Sequence, residues 1–114
     1  VIAFGQERGI SVWPGVMTPT EIVRALKAGA EAVKLFPMAS LGLGYLKEIR
    51  GPLDRVPIMA TGGVALHNIR DYFQAGADAV GMGGKLVNLE WAKEGDFRKI
   101  EERARAFTDI VQAG

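Results

Sequence analysis

Lys34 is the residue of this chain with the clearest chemical potential, because it interrupts the apolar segment Ala32-Val33-Lys34-Leu35-Phe36-Pro37. A strand that is hydrophobic throughout is typical of a parallel sheet covered on both faces, where a charged ammonium group is costly to desolvate. Losing the proton relieves that cost, and the neutral amine is a nucleophile that forms Schiff bases with carbonyl compounds. The alternative is a lysine at a strand end whose stem lies in the core while its amine reaches water.

Two glycine pairs, Gly62-Gly63 and Gly83-Gly84, also stand out, because each follows an apolar segment. We expect them to form tight turns that enter helices, side by side at the carboxyl ends of adjacent strands. Backbone amides in such turns can bind phosphate oxygens, and the Thr61 hydroxyl adds a donor. A purely conformational role is the alternative, since ordinary turns also use glycine.

Alternating strands and helices must position these residues. The apolar segments that predict buried strands lie at 10–15, 32–37, 56–61 and 79–84, and a segment with helical periodicity follows each of them. Residues 28–33 and 75–80 share one pattern, an Ala-Gly-Ala turn leading into a strand, which indicates an internal structural repeat. The sequence therefore predicts an α/β fold of four βα units.

Two helices have clear start signals. Thr18-Pro19-Thr20-Glu21 predicts a capping box, and Gly29 is expected to end that helix. Asp96 is the expected N-cap of the last helix. The apolar face of that helix would comprise Phe97, Ile100, Ala104, Phe107 and Val111, and its solvated face Glu101, Glu102, Arg103 and Arg105.

Three further features have two interpretations each. Trp13 could line a pocket or pack beneath a helix. The glycine-rich segment 41–45 predicts a flexible loop, either a mobile lid over the site or a plain connection. His67 is placed in the first turn of the helix after Gly62-Gly63, where a surface role is a simpler interpretation than a catalytic one.

Composition excludes several classes of function. Lys and Arg number 14 against 13 Asp and Glu, and a net charge of +1 gives no electrostatic basis for binding nucleic acid or an anionic membrane. The absence of cysteine removes disulfides and zinc-thiolate sites, and no cluster of metal ligands is apparent. No apolar segment approaches the roughly 20 residues of a membrane span, so we expect a soluble cytoplasmic protein.

The size of the units indicates the architecture. Short βα units are typical of a TIM, or (β/α)8, barrel, which needs eight strands and about 250 residues. We therefore interpret residues 1–114 as a single domain, the second half of such a barrel, either part of a longer protein or a designed half-barrel. The alternative is a small flavodoxin-like open sheet.

A series of motifs resembles, in order, the second half of the KDPG/KHG aldolases, and the likeness covers essentially the whole chain. The motifs are Trp13-Pro14-Gly15-Val16-Met17-Thr18-Pro19-Thr20-Glu21, Val33-Lys34-Leu35-Phe36-Pro37, Gly51-Pro52-Leu53, Thr61-Gly62-Gly63-Val64 and Gly83-Gly84. Members of this family are class I aldolases that cleave 2-keto-3-deoxy-6-phosphogluconate or 4-hydroxy-2-oxoglutarate and release pyruvate.

The resemblance implies roles for particular residues. Lys34 would form the Schiff base, so neither a metal ion nor an organic cofactor is expected, and Pro14 and Phe36 would line the pyruvate pocket. The implied phosphate-binding residues are Thr61, Gly62, Gly63, Gly83, Gly84 and Lys85. Lys85 stands where better-known members have a serine that contacts phosphate, so it could bind phosphate by charge or point to solvent.

The resemblance also implies what this chain lacks. The glutamate that shuttles protons, and the arginine and threonine that bind the pyruvate carboxylate, lie in the family's first half, so this half alone should be inactive. The implied partner is a small 2-keto acid, and the implied assembly of the full-length protein is a homotrimer. A 2-keto-3-deoxy-6-phosphogalactonate aldolase and a catalytically silent half-barrel are the alternatives.

Overall fold

The computed structural model describes all residues from Val1 to Gly114 and contains four strands and seven helices. The strands are β1 (Gly15–Val16), β2 (Val33–Leu35), β3 (Ile58–Thr61) and β4 (Ala79–Gly81). The helices are α1 (Ile2–Glu7), α2 (Pro19–Lys27), α3 (Met38–Leu41), α4 (Leu43–Arg50), α5 (Ile69–Gln74), α6 (Leu89–Lys93) and α7 (Phe97–Ala113). The predicted α/β class is confirmed.

The four strands form one parallel sheet in the order β1-β2-β3-β4. Each strand therefore lies beside the next one in the sequence, with helical segments in every connection. A flavodoxin-like sheet reverses its strand order at a switch point, and no such reversal is present here. The flavodoxin-like alternative is wrong for this chain.

The first strand is much shorter than the sequence predicts. Residues 10–14 are not strand, and Ile10 and Trp13 are largely exposed. Pro14 lacks an amide hydrogen and contributes only its carbonyl, which accepts the Lys34 N–H at 2.9 Å. The prediction of a buried strand over 10–15 is therefore wrong except at its last residue, and the other strands lie inside their predicted segments.

Only one face of the sheet is covered. Val33, Leu35, Ile58 and Ala60 alternate along β2 and β3 and are buried beneath the helices, whereas the intervening side chains are partly exposed. The helices contribute Ile22, Leu46, Ile49 and Ile69 to the same core. The other face of β2, which carries Lys34, is not covered by helices of this chain.

The predicted capping box at the start of α2 is confirmed. The Glu21 N–H donates to Thr18 Oγ1 at 3.3 Å, and Glu21 Oε1 accepts the Thr18 N–H at 3.0 Å. Hydrogen bonds from the Thr18 hydroxyl and the Met17 amide lower the pKa of the Glu21 carboxyl. Glu21 therefore fixes the segment that joins β1 to α2.

Helix α7 fits its prediction in part. Asp96 caps the helix by accepting the Lys99 N–H, and Phe107 is buried. Phe97 is 67% exposed, however, so the apolar face is not covered along its whole length. Arg103 was expected on the solvated face, but it is half-buried against Trp91.

The flexible loop predicted over residues 41–45 is absent. Leu41 ends α3, Leu43 begins α4, and only Gly42 separates the two helices. The Tyr45 hydroxyl also donates to the Met17 carbonyl at 2.7 Å, which ties α4 to the segment after β1. The lid interpretation of this segment is therefore wrong.

Arg50 joins several segments at the amino ends of the strands, and its side chain is 15% exposed. Its guanidinium donates to the carbonyls of Gly76, Leu53 and Val56 and pairs with the Asp78 carboxylate. Asp78 in turn accepts the Ile58 N–H at 2.9 Å. We call this set of contacts the Arg50 cluster.

The internal repeat has a structural basis in a similar contact. Gln6 on α1 donates to the Gly29 carbonyl at 3.1 Å, as Arg50 on α4 donates to the carbonyl of the equivalent Gly76 at 2.7 Å. Both glycines have positive φ, and a Cβ on either would collide with the donor side chain. The shared Ala-Gly-Ala pattern therefore marks a turn whose carbonyl is bonded by the helix of the preceding unit.

None of the seven helices has both the length and the apolar character needed to cross a membrane.

We predict that Arg50→Met lowers the free energy of unfolding by about 2–4 kcal/mol, because it leaves several partly buried carbonyls and the Asp78 carboxylate without their donor. Urea denaturation would measure the change. Arg55→Met is the matched control, since Arg55 is exposed in the same connection and forms no hydrogen bond, and should change stability by less than about 0.5 kcal/mol. Equal midpoints for the two variants would contradict a stabilising role for the Arg50 cluster.

Candidate active site

Lys34 lies on the uncovered face of the sheet. In the register of the strands it faces Gly15 on β1 and Met59 on β3. The lysine stem lies over Gly15: a Cβ there would be in ordinary contact with it, 3.4 Å from Lys34 Cε and 3.9 Å from Nζ. Lys34 is partly exposed and forms no salt bridge, so its amine faces the open side of the sheet.

Phe36 and Pro14 lie beside Lys34. Lys34 Nζ is 5.7 Å from the centroid of the Phe36 ring, a distance compatible with a cation–π contact. Pro14 is joined to Lys34 by the backbone hydrogen bond between β1 and β2. Phe36 is half-exposed, and its peptide bond to Pro37 is cis.

Trp13 lies elsewhere on the sheet. It is half-exposed, lines a hollow with Ala32 and Met59 at the amino ends of the strands, and donates its indole N–H to Ser11 Oγ at 3.0 Å. It therefore packs beside the amino ends of the strands, away from the glycine pairs.

The Gly62-Gly63 loop contacts the start of α3. Both glycines have positive φ, and Cβ atoms on them would lie 3.2 Å from the Met38 amide nitrogen and 2.8 Å from Ala39 Cβ. The same Cβ on Gly62 would lie 3.4 Å from the Phe36 ring, so Phe36 extends from the lysine amine to this loop. The conformational role that the sequence left open for these glycines is therefore present, and it leaves their backbone amides available.

Two side chains of the α5 region hold the loop carbonyls. The Tyr72 hydroxyl donates to the Gly62 carbonyl at 3.3 Å, and Asn68 Nδ2 donates to the Gly63 carbonyl at 2.9 Å. Burial raises the pKa of the Tyr72 phenol, so the hydroxyl stays a donor at neutral pH. Because carbonyl and N–H point in opposite directions across a trans peptide, the Gly63 and Val64 amides are directed away from α5.

These amides form no hydrogen bond within the chain. Sequence reasoning missed Asn68 and Tyr72. The sequence gives only a weak indication of the role of Asn68, because an asparagine just before a helix usually predicts an N-cap. Asn68 instead bonds the backbone of the preceding turn, where its side chain accepts the Ala65 N–H at 2.8 Å.

Thr61 is placed beside Gly81, its register partner on β4. A Cβ on Gly81 would lie only 2.7 Å from Thr61 Oγ1, so the threonine side chain occupies the space that this glycine leaves. The Thr61 hydroxyl is buried and has no hydrogen-bond partner in this chain. A buried hydroxyl without a partner costs free energy, so Thr61 has an unused donor at the carboxyl end of the sheet.

The second glycine pair forms a turn directly after β4. The Gly83 carbonyl accepts the N–H groups of Leu86 and Val87, both at 2.9 Å. The amides of Gly83, Gly84 and Lys85 donate to no group of the chain. All three residues are exposed, and a Cβ on either glycine would meet open space.

The helix starts differ from those predicted. Neither glycine pair enters a helix directly, because α5 begins at Ile69 and α6 at Leu89, each after a further turn. His67 lies in the turn before α5, outside the helix, and is exposed. Any anion site here would therefore rest on free turn amides and not on a helix terminus.

The structure thus brings the predicted residues together. The pairing of Thr61 with Gly81 sets the two glycine loops on neighbouring strand ends, and Phe36 links one of them to the lysine amine. The arrangement combines a primary amine on an open face with a group of unpaired amide donors. Chemically, such a site can form a covalent adduct with a carbonyl compound and hold an anionic group nearby.

Known proteins share both the sequence and the fold. The sequence model of the KDPG and KHG aldolase family matches residues 1–103. The 2-dehydro-3-deoxy-phosphogluconate aldolase of Haemophilus influenzae is 36% identical over 114 residues, which is 98% of this chain and 53% of that protein. The 2-dehydro-3-deoxy-6-phosphogalactonate aldolase of Escherichia coli is 32% identical over 105 residues, covering 91% of this chain and 51% of that protein.

A solved structure described as native KDPGal superposes with a TM-score of 0.83 at 32% identity, covering 98% of this chain and 55% of that one. The chain thus spans about half the length of the relatives that it matches. The family match extends over nearly all of its residues and includes both the lysine strand and the two glycine loops. This chain belongs to the KDPG and KHG aldolase family.

Proposed function

We propose that this chain is the Schiff-base half of a class I aldolase that cleaves 2-keto-3-deoxy-6-phosphogluconate and 4-hydroxy-2-oxoglutarate. The observation that carries the proposal is the Lys34 amine, which stands on the open face of the sheet beside Phe36. The names of the relatives support aldol chemistry on a phosphorylated keto acid. Pyruvate is the common product, with glyceraldehyde 3-phosphate or glyoxylate as the second one.

The chemistry follows from the amine. Neutral Lys34 Nζ adds to the C2 carbonyl of the substrate to give a carbinolamine, which takes up a proton and loses water to give an iminium ion. As a base removes the proton of the C4 hydroxyl, the C3–C4 bond breaks, the aldehyde leaves and the electron pair moves into the iminium to form an enamine. Protonation at C3 and hydrolysis then release pyruvate and regenerate the amine. The base is assigned to the first half of the barrel, where the family resemblance places a glutamate.

The two glycine loops are proposed to bind the substrate phosphate. Their unpaired amides are positioned on adjacent strand ends, and the unused Thr61 hydroxyl lies between those strands. Lys85 follows the second loop and is exposed, so its charge is available to an anion. A phosphogalactonate substrate is the second candidate, since one relative is named for that activity.

We also propose that residues 1–114 form the second half of a (β/α)8 barrel. A parallel sheet in sequential order, covered by helices on one face, supports this interpretation. The half-barrel interpretation is also supported by the match of this chain to about half the length of each relative. The uncovered face would then line the barrel interior. For the complete protein we propose a homotrimer. We also propose that it is located in the cytoplasm.

We predict that residues 1–114 produced alone will self-associate or bind a hydrophobic dye, because the open face and both sheet edges lack a partner. Sedimentation and dye fluorescence would measure this, with the complete protein as control. A compact monomer that binds no dye would contradict the half-barrel interpretation.

We predict that Lys34→Arg abolishes aldol cleavage in the complete enzyme, since a guanidinium keeps the charge but forms no imine. Borohydride reduction in the presence of pyruvate should trap an adduct on Lys34 of the parent and none on the variant. Lys34→Met should fold at least as stably as the parent, which separates loss of chemistry from loss of structure.

The control residues are other lysines of the chain. Lys47 lies on α4, and Lys85 is near the proposed phosphate site. Mapping the adduct to either one, or finding near-normal cleavage by Lys34→Arg, would remove Lys34 from its proposed role.

We predict that Gly84→Val raises the KM for the phosphorylated substrate about tenfold and that for 4-hydroxy-2-oxoglutarate less than twofold. The valine side chain has room in the fold and adds bulk to a loop whose amides are free. Gly62 is a poorer position for this test, because its positive φ and the Met38 amide would distort the loop of a variant. The tenfold figure corresponds to about 1.4 kcal/mol.

Gly44→Val is the matched control for this substitution. Gly44 is also exposed and surrounded by open space, but it lies on α4. Steady-state kinetics on both substrates would compare the variants. Equal changes on the two substrates would show that the second glycine loop is only a turn.

A further inference from the structure

Arg103 reaches the second glycine loop from helix α7. Its Nη1 donates to the Lys85 carbonyl at 2.9 Å across a separation of 18 residues. No carboxylate pairs with this guanidinium, in contrast to Arg98 and Arg105 on the same helix, which bind Glu102 and Glu101. Its one hydrogen-bonding contact within the chain is therefore with the loop backbone.

An aromatic ring fixes the position of that guanidinium. The Arg103 Cζ lies 5.0 Å from the centroid of the Trp91 ring, and both side chains are partly buried. A stacked guanidinium loses part of its rotational freedom, so its hydrogen bond to the loop costs less entropy to form. Trp91 is fixed in turn by the Asn88 cap at the start of α6.

The bond to Lys85 completes the restraint of the turn. The Lys85–Leu86 peptide is then held at both ends, by Arg103 at its carbonyl and by the Gly83 carbonyl at its N–H. Because Gly83 directs its carbonyl into the turn, the Gly84 N–H points the opposite way, out of the turn. The orientation of the free amides therefore depends on a contact made from α7.

We propose that Arg103 is a positioning residue for phosphate recognition, acting through the Lys85 carbonyl on the amides of the second glycine loop. This inference rests on the proposed function and deepens it: the loop after β4 is pre-organised for a phosphate monoester by a side chain that does not itself touch the substrate. Pre-organised donors bind an anion more tightly than donors that must be ordered on binding.

The test uses the complete enzyme and its two substrates. Arg103→Met keeps an apolar stem beside Trp91 but removes the donor to Lys85. The ratio of kcat/KM for 2-keto-3-deoxy-6-phosphogluconate to that for 4-hydroxy-2-oxoglutarate should fall about fivefold to tenfold, the loss expected for one hydrogen bond. Competitive inhibition by inorganic phosphate should weaken by a similar factor.

Two further variants make the result specific. Arg103→Lys keeps a cationic donor and should recover part of the ratio, and it carries the test if Arg103→Met fails to fold. Arg105→Met is the matched control, because Arg105 lies on the same helix, is exposed and pairs only with Glu101. It should leave the ratio unchanged.

Each outcome decides between the proposals. A parent enzyme that cleaves both substrates, with an unchanged ratio or an equal loss on both in the Arg103 variants, would overturn the positioning role alone. A parent that cleaves neither substrate would overturn the proposed function and this inference with it. A selective loss with the phosphorylated substrate supports both.

Discussion

A single arginine side chain, 15% exposed, holds the amino ends of the strands in a fixed arrangement. The Arg50 cluster binds the end of α4, the connection to β3, the turn before β4 and the first amide of β3. One partly buried guanidinium thereby satisfies carbonyls of the connections at this edge of the sheet. The strands are held at their amino ends, and the unpaired amides of the two glycine loops lie at their carboxyl ends.

The two edges use glycine in different ways. At the amino edge, Gly29 and Gly76 admit a donor side chain from the preceding helix. Within the sheet, Gly15 lies under the lysine stem, and at the carboxyl edge Gly81 leaves room for the Thr61 side chain. Gly29, Gly76 and Gly81 each exclude a Cβ. The first two lie where hydrogen bonds close, whereas Gly81 lies beside an unpaired hydroxyl. Stability and chemistry are thus separated along the strand direction, a separation that is typical of (β/α)8 barrels.

Much of this arrangement was predictable from local sequence. The apolar segments placed β2, β3 and β4, the capping box placed α2, and the break in the apolar pattern singled out Lys34. The sequence pattern that marks each of these features spans only a few residues, so it can be recognised without knowledge of tertiary contacts. The Ala-Gly-Ala pattern likewise indicated a structural repeat before its hydrogen bonds were visible.

Other features depend on contacts between distant residues and left no such signal. The burial of Lys34 was overestimated, because it depends on what covers the second face of the sheet and not on β2 itself. Arg103 was assigned to the solvated face of α7 by periodicity, since the Trp91 ring that it contacts comes from another helix. Asn68 and Arg50 bond mainly to backbone groups, which do not depend on residue type, so no residue pair in the sequence marks those contacts.

The bonds from Gln6 to Gly29 and from Arg50 to Gly76 limit where the chain can be divided. In both copies of the repeat the donor lies on the helix of the preceding βα unit, so each turn is held by a unit other than its own. A division between Gln6 and Gly29, or between Arg50 and Gly76, separates a donor from its acceptor. A division between Gly29 and Arg50, as before β2 or α4, leaves both pairs intact.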